Sequence, residues 1–157
     1  MNAQFPRESR GAVLIEFALS ILILLFLVLG LLELGRAFYR WNGAVDAAQR
    51  GARAAAIAAV GDTDAVLAQM RLVVPDMNRP AGTRGDAKVF HPQATIEYSI
   101  DGTEGSWSEA GCGEAQCQYV RVSVDYEFTP WLVWFLPKAM TMPTVTATSV
   151  AEALGET

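Results

Sequence analysis

The chain has 157 residues, enough for one domain and an appendage. Apolar residues make up 52% of it and charged residues 18%, and this balance argues against a disordered or nucleic-acid-binding chain. The net charge of −5 is uneven: residues 1–60 hold six Arg and four acids, whereas residues 61–157 hold six Lys or Arg and thirteen acids. Two Cys and one His are too few for a closed four-ligand zinc site unless carboxylates contribute.

An uncharged apolar segment lies near the N-terminus. Phe17 to Leu32 contains sixteen residues without a charge, and Ala12 to Ile15 extend the run upstream of Glu16. About 21 helical residues cover about 31 Å, the thickness of a hydrocarbon core, so the segment is predicted to be a membrane-spanning helix. A buried helix of a soluble domain is disfavoured because the run is apolar on all faces. The absence of a small-x-small motif after the run favours a retained helix over a cleaved secretory signal.

Glu16 lies one helical turn inside this apolar run. A carboxylate at that depth costs a few kcal/mol unless it lies near the interface, is paired or is protonated. One interpretation is that Glu16 marks the interface and reaches toward water. The other is that it pairs with a positive group within the membrane.

The residues around Glu16 form a recognisable pattern. A short basic leader ends at Arg10 and Gly11, and Glu16 and Phe17 follow five and six residues after the glycine. The pattern resembles the class III signal of type IV pilins and pseudopilins, which a prepilin peptidase cuts after the glycine. The Gly-x-x-x-x-Glu-Phe form is similar to that of the TadE-like pseudopilins of the tight-adherence (Flp, type IVb) pilus system. The Glu-Leu-Gly-Arg at 33–36 and the Ala-rich AAQRGARA at 47–54 also resemble that family.

This resemblance implies a pilin-like α+β fold, in which a long N-terminal helix packs on a small antiparallel sheet. It implies cleavage between Gly11 and Ala12, after which the new amine would pair with Glu16 and fix the axial register of packed helices. Type IV pilins usually begin with Phe after cleavage, and this chain would begin with Ala12 instead. The implied parts are a leader at 1–11, a transmembrane helix at 12–34, an amphipathic Ala-rich extension at 35–60 and an exported domain at 61–157.

Small residues recur every four positions in the helical extension. Gly43, Ala47, Gly51 and Ala55 form one such row, which would let another backbone come close, as in small-xxx-small packing. Two partners are open at this point, a neighbouring subunit or the chain's own domain. The pairs of Arg at 36 and 40 and at 50 and 53 each share a helical face and are interpreted as solvated.

The remaining residues predict a small domain that needs the preceding helix to complete its core. Gly61 is predicted to end the helix, and Asp62 or Thr63 to cap a second helix that runs to about Val74, before Pro75. Residues 75–92 are interpreted as a loop, with His91 at the surface. Three strands are predicted from alternating patterns, at Ala94–Ile100, Gln118–Phe128 and Met142–Ala153. The first places Ile96, Tyr98 and Ile100 on one face, and the second places Val120, Val122, Val124 and Tyr126 on one face. The third places Val145, Ala147, Ser149 and Ala151 on one face.

Cys112 and Cys117 lie in a Gly-rich loop. Their spacing suits a small-ring disulfide, which would contribute about 2 kcal/mol and indicates an oxidising compartment. A redox pair would be expected as C-x-x-C, and a metal site would need two further ligands. The apolar run Trp131–Leu136, within 129–137, has two interpretations: a loop that caps the core, or an exposed patch for a partner subunit or the membrane interface.

The sequence contains no catalytic constellation, phosphate-binding loop or metal motif, so no enzyme activity and no cofactor are predicted. The main hypothesis is a minor pilin or pseudopilin, placed in a bacterial inner membrane with its N-terminus in the cytoplasm and its C-terminal domain outside. Its expected partners are the prepilin peptidase, other pilins or pseudopilins, the pilus inner-membrane platform and membrane lipid, but not nucleic acid. The alternative is a signal-anchored periplasmic binding module, and an anchored enzyme is the weakest hypothesis.

Overall fold

The computed structural model describes residues 9–78, 92–112, 117–130 and 140–150. These residues form an α+β arrangement, as predicted, in which a long N-terminal helix packs on a small antiparallel sheet. The elements in chain order are α1 (Ser9–Ile57), α2 (Thr63–Arg71), β1 (Gln93–Ser99), β2 (Tyr119–Asp125), β3 (Glu127–Phe128), β4 (Met140–Thr141) and β5 (Val145–Val150). The predicted apolar run at 131–136, His91 and the end of the predicted last strand at 151–153 lie outside the described residues.

Helix α1 is continuous over 49 residues, which corresponds to about 73 Å. Its sequence has no proline and is rich in Leu and Ala, which favour helix, and the glycines at 30, 35 and 43 do not interrupt it. The helix ends at Ile57, three residues before the predicted end. Gly61 then adopts a positive φ of 90°, which an L side chain rarely tolerates, and the chain turns there as predicted.

Helix α2 begins where its capping signal predicts. The side chain of Asp62 accepts a hydrogen bond from the backbone N–H of Ala65 at 3.2 Å. The helix ends at Arg71 rather than near Val74. Its buried side chains are Val66, Leu67 and Met70, and it packs against α1.

The main sheet has the order β1-β2-β5, and both pairs are antiparallel. The alternation predicted for β2 is confirmed, because Val120, Val122 and Val124 are fully buried while the residues between them are partly exposed. Helix α1 packs on β2 and β5. The predicted cover of the sheet by the helix before Gly61 is therefore confirmed.

Strands β1 and β2 each begin one residue from the predicted position, and three larger differences from the predictions occur at other strand boundaries. Ile100 does not share the buried face of β1, because the strand ends at Ser99 and Ile100 is 46% exposed. The predicted strand to Phe128 is divided at Tyr126, and its last two residues pair with β4 in a second sheet. The predicted strand from Met142 begins instead at Val145, because Pro143 has no N–H to contribute to a ladder.

The core lies between α1, α2 and the main sheet. At Gly51, α1 lies close to two neighbours, since a Cβ there would lie 2.7 Å from Sδ of Met70 and 3.2 Å from Cγ1 of Val122. Only a glycine lets the helix backbone come this near to both neighbours. The small residues of the second half of α1 thus set the distance between the helix and the sheet.

Candidate functional site

The first half of α1 presents an exposed apolar surface. Among the described residues, one helix is long and apolar enough to cross a membrane, and its most apolar part is entirely unburied. The large apolar side chains on this surface between residues 13 and 32 include Val13, Leu14, Ile15, Phe17, Leu19, Leu22, Leu24, Phe26, Leu27, Leu31 and Leu32. A soluble domain rarely leaves so large a contiguous apolar surface uncovered, so this half of the helix is suited to lipid or to other apolar helices.

Gly11, Ala12 and Glu16 all lie on this exposed part of α1. Ala12 and Glu16 are four residues apart, so they share one helical face and are separated by about 6 Å along the axis. Gly11 has open space around it, because a Cβ there would meet no atom within 4 Å. The structure therefore leaves the predicted cleavage site accessible and places Glu16 one turn from it.

The apolar half ends at a charged junction. Glu33 is buried to 6% exposure and accepts a hydrogen bond from Nη1 of Arg36 at 2.7 Å. The guanidinium groups of Arg36 and Arg40 lie 5.8 and 6.0 Å from the ring centroid of Phe128, within the range of cation–π contacts. The interpretation of Arg36 and Arg40 as a solvated pair was therefore incomplete, because both contact the chain's own domain.

The opposite face of the same turns is apolar and uncovered. Leu31, Leu34 and Phe38 are each more than half exposed and follow one another at spacings of three and four residues. That spacing forms a single stripe along the helix, on the face opposite to the one that carries Glu33 and Arg36. The exposed apolar surface thus continues past the predicted end of the hydrocarbon core.

The row of small residues lies in the core. Ala47 and Ala55 are fully buried, and Gly51 is buried against Met70 and Val122. Gly43 is half-buried, and a Cβ built on it would lie 3.9 Å from Cγ2 of Val74. Of the two partners that the sequence left open for this row, the chain's own domain is the one it contacts here. The surface left for neighbours is the one formed by large apolar residues.

A groove of about 640 Å³ lies where α1 enters the domain. It runs between residues 39–46 of α1 and residues 73–76, and Tyr126 lines it. The Tyr126 hydroxyl is buried and has no hydrogen-bond partner within the described part of the chain. Burial raises the pKa of Tyr126 above its ordinary value, and the nearby charge of Arg40 opposes that shift.

The two cysteines form the predicted disulfide. Cys112 and Cys117 are bonded, with their Cα atoms 5.6 Å apart. Where residues are described, there is no group of three or more His, Cys, Asp or Glu side chains that could hold a metal ion.

A polar cluster on the open face of the sheet was missed from the sequence. Arg121 forms ion pairs with Glu97 at 2.9 Å and Glu104 at 3.2 Å, and its guanidinium lies 4.4 Å from the ring centroid of Trp107. The β1–β2 register places Glu97 directly opposite Arg121. Opposite charges at facing strand positions were the available signal, but the register was not known from the sequence.

The fold and this surface define a class of protein: one apolar N-terminal helix, exposed over its first half and packed on a small antiparallel sheet over its second. Comparison with protein families identifies the helix more closely. Residues 11–53 match the family described as TadE-like protein, so the resemblance predicted from the motifs of this segment is confirmed there. The match lies within α1. Searches of curated proteins and of solved structures found no match.

Proposed function

We propose that this protein is a minor pilin or pseudopilin with a structural role in the assembly or initiation of a Tad/Flp-type pilus. The proposal is carried by the difference between the two halves of α1, whose residues 11–53 match the TadE-like family. The first half exposes large apolar side chains, whereas the second half buries its small residues in the core. Such a helix is suited to move from lipid to a bundle of similar helices with little change in its surroundings. Its role is structural and non-enzymatic.

In this proposal a prepilin peptidase cuts the chain after Gly11. The new α-amine on Ala12 is largely protonated at neutral pH, since its reference pKa is about 8. Glu16 lies one turn away on the same face, so the carboxylate is in reach of this amine or of the amine of a neighbouring subunit. An unpaired charge is expensive in an apolar environment, and pairing would therefore fix the axial position of one helix against the next.

The proposed location is a bacterial inner membrane, with the N-terminus in the cytoplasm and the domain in the periplasm or outside the cell. The disulfide supports this orientation, because structural disulfides form and persist in oxidising compartments. Prepilin peptidase, other pilins or pseudopilins, the inner-membrane platform of the pilus and lipid are the proposed partners. A contribution to cell adhesion would follow from incorporation into the fibre.

The first test measures the N-terminus and the intact mass of the membrane-bound chain, in cells with and without the cognate prepilin peptidase. We expect a chain that begins at Ala12 only when the peptidase is present. A Gly11→Ile variant should stay uncut, whereas Gly30→Ile, which changes a glycine with equally open surroundings, should be cut normally. An uncut wild-type chain under both conditions would instead support a signal-anchored periplasmic binding module.

The second test examines Glu16. A Glu16→Gln variant keeps the size and loses the charge, so we expect it to remain in the membrane and to be cut, but to reduce piliation. Ser20→Ala, which changes a polar residue one turn further along the helix, is the matched control and should assemble normally. Normal piliation by the Glu16→Gln variant would show that the carboxylate does not set the register.

A further inference from the structure

The two outer strands of the three-stranded sheet, β1 and β5, differ in how their outward backbone groups are hydrogen-bonded. At the β1 edge, the N–H and C=O of Tyr98 both bond to the backbone of Ser108 at 2.9 Å. At the other end of β1, the N–H of Ala94 donates to Oδ1 of Asn78 at 2.6 Å, and Nδ2 of Asn78 donates to the C=O of Ala94 at 3.2 Å. The backbone groups of β1 at these two positions are therefore satisfied by the chain itself.

The register shows which groups lie at the β5 edge. In an antiparallel sheet, successive residues of a strand point their backbone groups alternately to one side and to the other. Tyr98 points away from β2, so its register partner Val120 points away from β1 and toward β5. Val120 pairs with Ser149, which must therefore point back to β2. The N–H and C=O groups of Thr146 and Thr148 consequently point outward.

Within the described residues, the β5 edge carries none of the usual protections of an outer strand. Over the ranges that the structure describes, the outward N–H and C=O groups of Thr146 and Thr148 have no hydrogen-bond partner. Both residues are exposed, and Val150 at the end of the strand is 59% exposed. The strand VTATSV contains no charge, no proline and no bulge, which are the devices that keep other strands from pairing.

The core beneath this edge is also incompletely covered. The central strand buries Val120, Val122 and Val124 completely, whereas Ala147 and Ser149 on the same face of β5 are only partly buried. A fourth strand beside β5 would pair the outward backbone groups and cover these two side chains. The side chains of that strand would have to be small or apolar on the α1 side and polar on the other, in alternation.

A second copy of this chain does not suit the edge. Antiparallel pairing of two β5 strands needs a two-fold axis perpendicular to the sheet. Residues from Ala44 to Ala56 of α1 are buried over about 18 Å along this sheet, so the helix runs across the face of the sheet. The two-fold axis would therefore reverse α1, and two copies inserted in one membrane with the same orientation could not adopt this arrangement.

We infer that β5 is a strand-addition site, which takes an extended, amphipathic and largely uncharged segment of another protein as a fourth strand. Backbone hydrogen bonds to Thr146 and Thr148 provide the binding, and the alternation of side chains provides the selectivity. The partner is expected among the proteins of the pilus system, so the inference rests on the proposed function, although it does not depend on cleavage at Gly11 or on Glu16.

The experiment compares hydrogen–deuterium exchange of the full chain in three settings: dilute in detergent micelles, in native membranes with the pilus system, and in native membranes of cells that lack the other pilus proteins. We expect the amides of Thr146 and Thr148 to exchange at least tenfold more slowly only in the membranes with the pilus system. The amides of Ala147 and Ser149, which point to β2, should be slow in all three. Slow exchange at Thr146 and Thr148 in both kinds of membrane but not in micelles would support strand addition and contradict the pilus assignment of the partner. Equal exchange at Thr146 and Thr148 in all settings would overturn the inference.

Two variants test the direction of the backbone groups. Thr148→Pro removes an outward N–H and leaves the β2–β5 hydrogen bonds in place, so protection at Thr146 should be lost while Ala147 stays slow. Thr148→Val keeps the N–H and should retain the protection. Protection that appears in micelles as the chain concentration is raised would assign the edge to a second copy and would overturn the assignment to another protein.

Discussion

The two halves of α1 belong to one continuous helix but differ in the size of their side chains. Residues 11–40 carry Leu, Ile, Val and Phe on an exposed surface, whereas residues 41–57 bury mainly Ala and Gly. A helix in a soluble core normally buries its largest apolar residues. Here the small residues are the internal ones, because they let the helix approach the sheet closely, and the large residues are left for surroundings outside the chain.

The largest expected effect is on the exposed half. Leu24→Arg places a charge near the centre of the apolar segment, where arginine costs about 3 kcal/mol on insertion scales. We expect the variant to lose most of its resistance to alkaline extraction from membranes. Gln49→Arg, an exposed position in the second half of the same helix, should stay in the membrane like the wild type. Unchanged extraction of the Leu24→Arg chain would mean that this half does not lie in lipid.

The second-largest effect is expected on stability, from a substitution in the buried second half of α1. Gly51→Leu places atoms where Met70 and Val122 already lie, and overpacking of this kind costs about 1–3 kcal/mol of the free energy of unfolding. Gly35→Leu makes the same change where a Cβ would meet no atom within 4 Å, and it replaces a poor helix former. In thermal unfolding of the full chain in micelles, we expect a lower Tm for the first variant and an equal or higher Tm for the second. Equal losses would show that both halves of the helix are packed alike.

The sequence predicted the parts of this fold that depend on local patterns. Helix α1, the cap at Asp62, the alternation of β2 and the bond between Cys112 and Cys117 each follow from neighbouring residues. The division of the strand at Tyr126 could not be predicted, because Tyr126 and Phe128 continue the buried alternation while the pairing partner changes from β5 to β4.

The candidate site also has features that local sequence patterns predict and features that they do not. The positions of Gly11, Ala12 and Glu16 on an exposed helix follow from the apolar run, and their roles stay predictions. Contacts between distant segments were not visible from the sequence. The packing of Arg36 and Arg40 on Phe128 depends on how the strand after Tyr126 returns to α1, and the pairing of Arg121 with Glu97 depends on the register of two strands.

A smaller effect is expected at the boundary between the two halves. Arg36→Gln removes the ion pair with Glu33 and the contact with Phe128, for a loss of about 1 kcal/mol because the arginine is partly exposed. Arg50→Gln removes a second ion pair of the same helix, with Asp46, which is open to solvent and contributes about 0.3–0.5 kcal/mol. Denaturant unfolding in micelles should rank the two variants in this order. The opposite order would show that the junction at Glu33 adds nothing to the anchoring of the domain.

The smallest effect lies in the domain and should leave the exposed half of α1 unchanged. Hydrogen bonds from Ser106 and Thr103 lower the pKa of Asp101 from 3.8 to about 2. Because the pKa is depressed in the folded state, the stabilisation is present above about pH 4 and is lost as the pH falls toward 2. Asp101→Asn should therefore lower the Tm slightly at pH 6, and the difference from the wild type should disappear between pH 4 and pH 2. A difference that persists at pH 2 would trace the effect to the shape of the loop rather than to its charge, whereas membrane extraction should be the same for both chains at every pH.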